Sequence, residues 1–175
     1  MGLFSKNDPT PASGPVPEAA PAVEVAPLSH ERVIAALDAQ GYRYMIDSEG
    51  DIGGIWDDHV FYFVRIGNEQ QLLQVRGRWT RTVAADQYAA VLELVNDWNI
   101  EKVFPKTYVR VEDGALGVYA EHSVDYLPGL TDAQLQQHLA CAVSTALAFF
   151  GRLDEAYPQA VAEHKARIAA SRSEG

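Results

Sequence analysis

The spacing of hydrophobic and polar residues changes period several times along the chain, and each change marks an element. Val33, Ile34 and Leu37 recur at helical spacing behind a Ser29 positioned as N-cap, with Leu28 placed to staple onto Val33 and Gly41 to end the helix. Residues 42–46 read as a strand, and an acidic, glycine-rich connection follows at 47–58 with an extended stretch at 52–56. At 59–66 the period becomes two. Val60, Tyr62, Val64 and Ile66 face one way, and Phe61, Phe63 and Arg65 the other. Residues 72–79 alternate likewise, with Leu73, Val75 and Trp79 opposed to Gln74, Arg76 and Arg78. Gly67 and Asn68 turn between these runs, so the pattern predicts an antiparallel hairpin with one buried and one wetter face.

The helical period returns after Asp86. Tyr88, Val91, Leu92, Val95 and Trp98 form a stripe edged by Leu94, and Asn99 is expected as a left-handed cap. Beyond Pro105, Thr107, Val109 and Val111 alternate with Tyr108, Arg110 and Glu112, and Asp113-Gly114 predicts a hairpin turn. The return arm opposes Leu116, Val118, Ala120 and Val124 to Tyr119, Glu121 and Asp125 before Pro128-Gly129 breaks the chain. Thr131 and Gln134 then stand in capping-box spacing, with Leu130 able to staple onto Leu135. Leu135, Leu139, Ala142, Ala146, Phe149, Phe150, Leu153 and Tyr157 make one apolar stripe, which Pro158 interrupts. Past it, only Val161 and Ile168 are placed to dock. The predicted fold class is α+β, a five-stranded antiparallel sheet with elements in the order α-β-β-β-α-β-β-α.

Composition narrows the function. The 175 residues are 47% hydrophobic, enough for one sizeable core, and the net charge of −10 opposes binding to nucleic acid or anionic lipid. One cysteine, Cys141, excludes an intramolecular disulfide and a thiolate metal cage. No run approaches a membrane span and residues 1–6 do not resemble a signal peptide, so the expectation is a cytoplasmic protein with no membrane partner. Six of the nine prolines fall in residues 1–27, which predicts a disordered Pro/Ala-rich tail serving as a tether rather than a docking motif. The domain is expected over 28–158, with a helical or frayed tail at 159–175.

The titratable residues offer little chemistry. Asp47, Glu49, Asp51 and Asp58 mimic a calcium-loop spacing, but Ile52 replaces the required glycine and Asp58 the long glutamate, so a solvated turn is expected. His138 and Cys141 are neighbours on one helix, yet no base or orienting group is placed with them. His59 and His122 share no ligand spacing with another histidine. No metal, cofactor or catalytic residue is therefore assigned. The enzyme alternative would use scattered residues such as His59, His122, Glu121 or Cys141, two or more of them brought into one enclosed pocket by the fold.

Arginine on strands stands out in so acidic a chain. Arg65, Arg76, Arg78 and Arg110, beside Phe61, Phe63 and Tyr108, suggest a face that receives an acidic or extended peptide. The competing expectation pairs these arginines across strands with Glu112, Glu121 and Asp125. Asn96 and Trp98, needed by neither cap nor turn, mark a second candidate contact at the end of the middle helix.

The runs GDIGGIW, VFYFVRIG, LLQVRGRW and VNDWNIEKVFPKTYVRVEDGALGVYAEHSVDYLPGLTDAQL resemble the YbjN-like family of bacterial sensory transduction regulators, of actinobacterial type. Trp79, Asn96, Trp98, Asn99, Pro105, Gly114, Glu121, Gly129 and Leu135 carry the likeness, which covers 28–158. The resemblance implies a fold similar to that of type III secretion chaperones, non-enzymatic homodimers that hold extended segments of partner proteins. The leading expectation is thus a non-catalytic, regulatory or chaperone-like module with a protein or extended peptide as partner.

Overall fold

The computed structural model describes residues 24–173. Most of the expected Pro/Ala-rich tail, residues 1–23, lies outside them, and residues 24–26 approach the domain through a single antiparallel bridge between Ala26 and Leu130. The elements are α1 (His30–Ala39), β1 (Tyr44–Ile46), β2 (Ile52–Trp56), β3 (His59–Ile66), β4 (Leu72–Trp79), a 3-10 turn (Ala85–Gln87), α2 (Tyr88–Glu101), β5 (Lys106–Glu112), β6 (Ala115–Asp125), α3 (Asp132–Ala156) and α4 (Pro158–Ser173). The strands form one antiparallel sheet in the order β1-β2-β3-β4-β6-β5.

The sheet has six strands, not the expected five, because 52–56 is a strand in its own right between β1 and β3. Asp47 reverses the chain ahead of it: its carboxylate accepts the N–H groups of Glu49 and Asp51, and Gly50 takes a φ of +89°. The glycines of Ile52-Gly53-Gly54 hide the strand from a reading based on propensity.

The sheet's buried apolar side chains lie under the helices on one face. Phe61, Phe63, Leu73, Val75, Trp79, Val118 and Ala120 meet Val33 and Leu37 of α1, Val91, Val95 and Trp98 of α2, and Leu135, Leu139, Phe149, Phe150 and Leu153 of α3. Gly77 lets α3 lie close, since a Cβ there would fall 2.8 Å from Phe61 and 3.0 Å from Phe150. Ser29 caps α1, and Thr131 with Gln134 forms the capping box of α3.

Two terminal features differ from the sequence pattern. Helix α2 runs on to Glu101, so Asn99 is not its cap; its amide reaches the backbone of Thr107 on β5. Helix α4 begins at Pro158, where a missing N–H costs nothing, and it docks through Ala160 and His164 rather than Val161 and Ile168. His164 lies against a cluster of His59, Arg81 and Asp154, in which Arg81 donates to Asp154 at 3.1 Å and Trp79 Nε1 donates to the same carboxylate at 2.7 Å.

Candidate functional site

Among the described residues the other face of the sheet carries no helix, and the strand register arranges its side chains in rows. One row is Tyr62, Arg76, Glu121 and Lys106; the next is Val60, Arg78, Tyr119 and Tyr108. Neighbouring rows are linked by charge. Glu121 accepts from Arg76 Nε and Tyr108 Oη, both at 2.7 Å, and pairs with Lys106. Glu112 accepts from Arg78 Nη2 at 2.9 Å and Tyr119 Oη at 2.7 Å, and its carboxylate forms an ion pair with Arg110 Nε at 2.7 Å. The rings of Tyr108 and Tyr119 stack at 5.1 Å, and the guanidiniums of Arg78 and Arg110 lie 5.9 and 5.5 Å from the Tyr119 centroid.

These contacts fix the charge states. Burial pushes the Glu121 carboxyl up, but hydrogen bonds from Lys106 and Tyr108 and the Lys106 and Arg76 charges hold it below its ordinary value. Tyr108 moves upward, through burial and its bond to Glu121. Glu121 is thus a carboxylate fixed as an acceptor, unsuited to releasing and recapturing a proton near neutral pH.

Across β1 to β3 the same face turns apolar. Met45, Ile55, Tyr62 and Ile66 are all exposed there, at 66, 59, 43 and 37%. The strand positions of this face hold four cations, Arg76, Arg78, Lys106 and Arg110, against three carboxylates, Glu112, Glu121 and Asp125. In a chain of net charge −10, this is a locally cationic surface beside an apolar one.

The structure brings Arg76, Arg78, Arg110 and Tyr108 together and separates the other candidates from them. Phe61 and Phe63 pair with Gly77 and Val75, so both are buried on the helix-covered face. Arg65 follows their parity, pairs with Leu73 and sits at that face's rim beside His30 and Glu49. Trp98 is buried against Phe149 at 5.3 Å, whereas Asn96 is exposed on α2. Cross-strand pairing with Glu112 and Glu121 does occur; Asp125 instead accepts the N–H of Leu127.

A second feature escaped the sequence reading. On the covered face, at the far end of β6, the His122 ring stacks on Phe104 at 4.1 Å and approaches His138 at 4.6 Å, and Tyr126 Oη lies 3.1 Å from His138 Nδ1. Burial, and then His122, pushes His138 down to about 4; burial alone lowers His122. Two adjoining cavities of about 520 and 330 Å³ share Phe104 and His122, and Cys141 lines the smaller. Of the residues the enzyme alternative needs, His122 and Cys141 meet here. Glu121 is held by the network on the opposite face, and His59 belongs to the cluster with Arg81 and Asp154. Only the i, i+3 relation of His138 and Cys141 was visible in sequence, because the other walls come from three distant elements.

Among the described residues no group of three or more His, Cys, Asp or Glu side chains is placed to hold a metal ion, and no helix is long and apolar enough to cross a membrane. Fold and surface together define an α+β module in which, among the described residues, helices cover one face of the sheet and leave the other uncovered. Residues 29–155 match the YbjN family, described as putative bacterial sensory transduction regulator, and the chain belongs to that family. The structure is similar to that of E. coli YbjN, described as a putative transcription regulator, with a TM-score of 0.64 at 9% identity over 77% of this chain and 96% of that one. A chain of the HopA1-SchA chaperone-effector complex matches with a TM-score of 0.43 at 12% identity, over 71% of this chain and 99% of that one. No curated protein matches the sequence.

Proposed function

We propose that this YbjN-family protein is a non-catalytic regulatory or chaperone-like module that binds another protein through the uncovered face of its sheet. The observation that carries the reading is the composition of that face: exposed Met45, Ile55, Tyr62 and Ile66 adjoin a cationic, tyrosine-rich network. An open antiparallel face needs no special explanation when it is polar. Four exposed apolar side chains on one half of it do. The partner that fits is an acidic protein segment with apolar residues on one side, covering the β1 to β3 half while its carboxylates meet Arg76, Arg78, Lys106 and Arg110. Arg78 and Arg110 each use one nitrogen on Glu112, so other guanidinium N–H groups have no acceptor among the described residues.

Ile55→Glu combined with Arg110→Glu tests this. Both positions are exposed, so the fold should be retained. The double variant should lose the partner that the wild-type chain captures by crosslinking, and capture should weaken as salt is raised. Undiminished capture by the folded double variant contradicts the reading. The module is further proposed to act as a homodimer. Light scattering should then give twice the 19.2 kDa chain mass; a monomer at about 10 µM, a concentration well above the Kd of a specific dimer, removes the homodimer.

A further inference from the structure

Strand β6 is longer than its outer neighbour. On one side β4 pairs with it as far as Asp125, but on the other β5 ends where Lys106 lies opposite Glu121. Residues 122–125 therefore have a strand on one side only. Just before Lys106 the chain turns away, and Phe104 lies flat on His122 instead of extending the strand.

Alternation along the ladder tells which backbone groups face the vacant lane. The side-chain amide of Asn99 takes both the N–H and the C=O of Thr107, each at 3.0 Å, so Thr107 turns away from β6 and Lys106 turns toward Glu121. Stepping by two, Ser123 and Asp125 direct their N–H and C=O groups into the lane. Tyr126, of the opposite parity, donates to Gln71 at the β4 side.

The lane also has walls. Lys102, Val103, Phe104 and Lys106 border it at the β5 end. Val124, Tyr126, His138 and Cys141 line the smaller cavity beneath it. Two buried imidazole nitrogens there, His122 Nδ1 and His138 Nε2, have no hydrogen-bond partner among the described residues. Val103, on the wall of the larger cavity, is exposed.

We infer that this lane receives an extended segment of a partner protein as an added strand on β6, with one large apolar side chain entering the cavity beside Val124, Tyr126 and His138. The inference rests on the protein-binding reading and assigns a second contact, distinct from the open face. Residues opposite each other in a sheet share a face, so the segment's residue opposite Val124 enters the cavity and those opposite Ser123 and Asp125 point to the open side. Four residues of β6 offer about 13 Å of lane at about 3.3 Å per residue. A loop or tail fits that length. The edge of a second copy does not, because a full-length strand in this line runs into Phe104 and Pro105. Lys102, which borders the lane at one mouth, selects an acidic residue near the apolar anchor.

The test uses the full chain panned against a random dodecapeptide library, with the enriched peptides synthesised. Cys141 is the sole cysteine and lines the cavity, so it reports directly. A saturating peptide should slow N-ethylmaleimide alkylation of Cys141 by about tenfold or more and protect the Ser123 and Asp125 amides from hydrogen exchange. Ser123→Pro removes an outward donor at an edge position and should weaken binding by about tenfold, the equivalent of one lost main-chain bond. Should that variant fail to fold, a bulky maleimide on Cys141 should block the lane equally. Peptides that leave Cys141 reactivity unchanged and are lost with Ile55→Glu overturn the lane and leave the open-face reading standing. No enrichment of any peptide overturns both.

Discussion

Replacing Asn99 with alanine removes the side chain that closes the outer edge of the sheet. Its Nδ2 donates to the Thr107 carbonyl at 3.0 Å and its Oδ1 accepts the Thr107 N–H at 3.0 Å. The Thr107 hydroxyl, 3.1 Å from the same oxygen, can turn instead to the Val95 carbonyl at 3.2 Å, so its bond is replaceable. Two bonds are therefore lost outright, each worth about 1 kcal/mol net. Thr107 is only 3% exposed, so water reaches its freed groups poorly and about 1 kcal/mol of desolvation is added. Alanine returns about 0.6 kcal/mol through its better helix propensity. The expected loss is about 2 kcal/mol, or about 4–8 °C in Tm for a chain of this size. Urea unfolding followed by circular dichroism should show a lower midpoint at unchanged slope. Asn96→Ala is the control: Asn96 is exposed on the same helix, so its replacement should only gain about 0.6 kcal/mol of helix propensity. If Asn99→Ala proves no more destabilising than Asn96→Ala, Asn99 does not close this edge and the assignment of outward-facing groups on β6 falls with it.

Three other outcomes follow from the core and its titratable groups. Gly77→Ala forces a methyl against Phe61 and Phe150 and should cost about 1–3 kcal/mol in urea unfolding; a neutral result means α3 can slide away from the sheet. Asp154→Asn strips the partner from Arg81, which is 6% exposed, and should cost about 2–3 kcal/mol, the carboxylate's partial exposure keeping it below the full penalty for a buried pair; protease cleavage at Lys165 should rise as α4 loosens. Burial, then Arg81 for His59 and His122 for His138, holds both histidines near 4, below their ordinary 6.5. The unfolded chain thus takes up their protons first as pH falls. This stabilisation is complete above about pH 6.5 and is lost progressively toward about pH 4. The urea midpoint should decline between pH 6.5 and 4.5, before most carboxylates titrate, and His138→Gln should flatten that decline; a level midpoint to pH 4.5 contradicts it.

What could be read beforehand depended on how local its cause was. The capping box at Thr131 and Gln134, the α3 stripe and the alternation of β3 to β6 each need only neighbouring residues, and each stands as read. Which side chains share a face across strands depends on register, and there the reading failed for Phe61, Phe63 and Arg65: their parity was right, but their face is the covered one. Asn99 misled because a cap and a strand-edge clamp draw on the same amide chemistry, and only the return of β5 beside α2 decides between them. The His122 cleft was invisible for a similar reason. Its walls come from residues 99–106, β6 and α3, and no local spacing joins them.

Partner binding through the uncovered face is tested most directly by placing a photo-crosslinking amino acid at Ile55 and, in a parallel chain, at Ile46, in the cells that make the protein. Both positions are exposed, at 59 and 47%, but Ile46 pairs with Ile52 and so lies on the opposite face. Binding through the open face predicts a discrete protein adduct from position 55, reduced by Arg110→Glu, and none from position 46. An adduct from 46 with none from 55, or equal adducts from both, contradicts it.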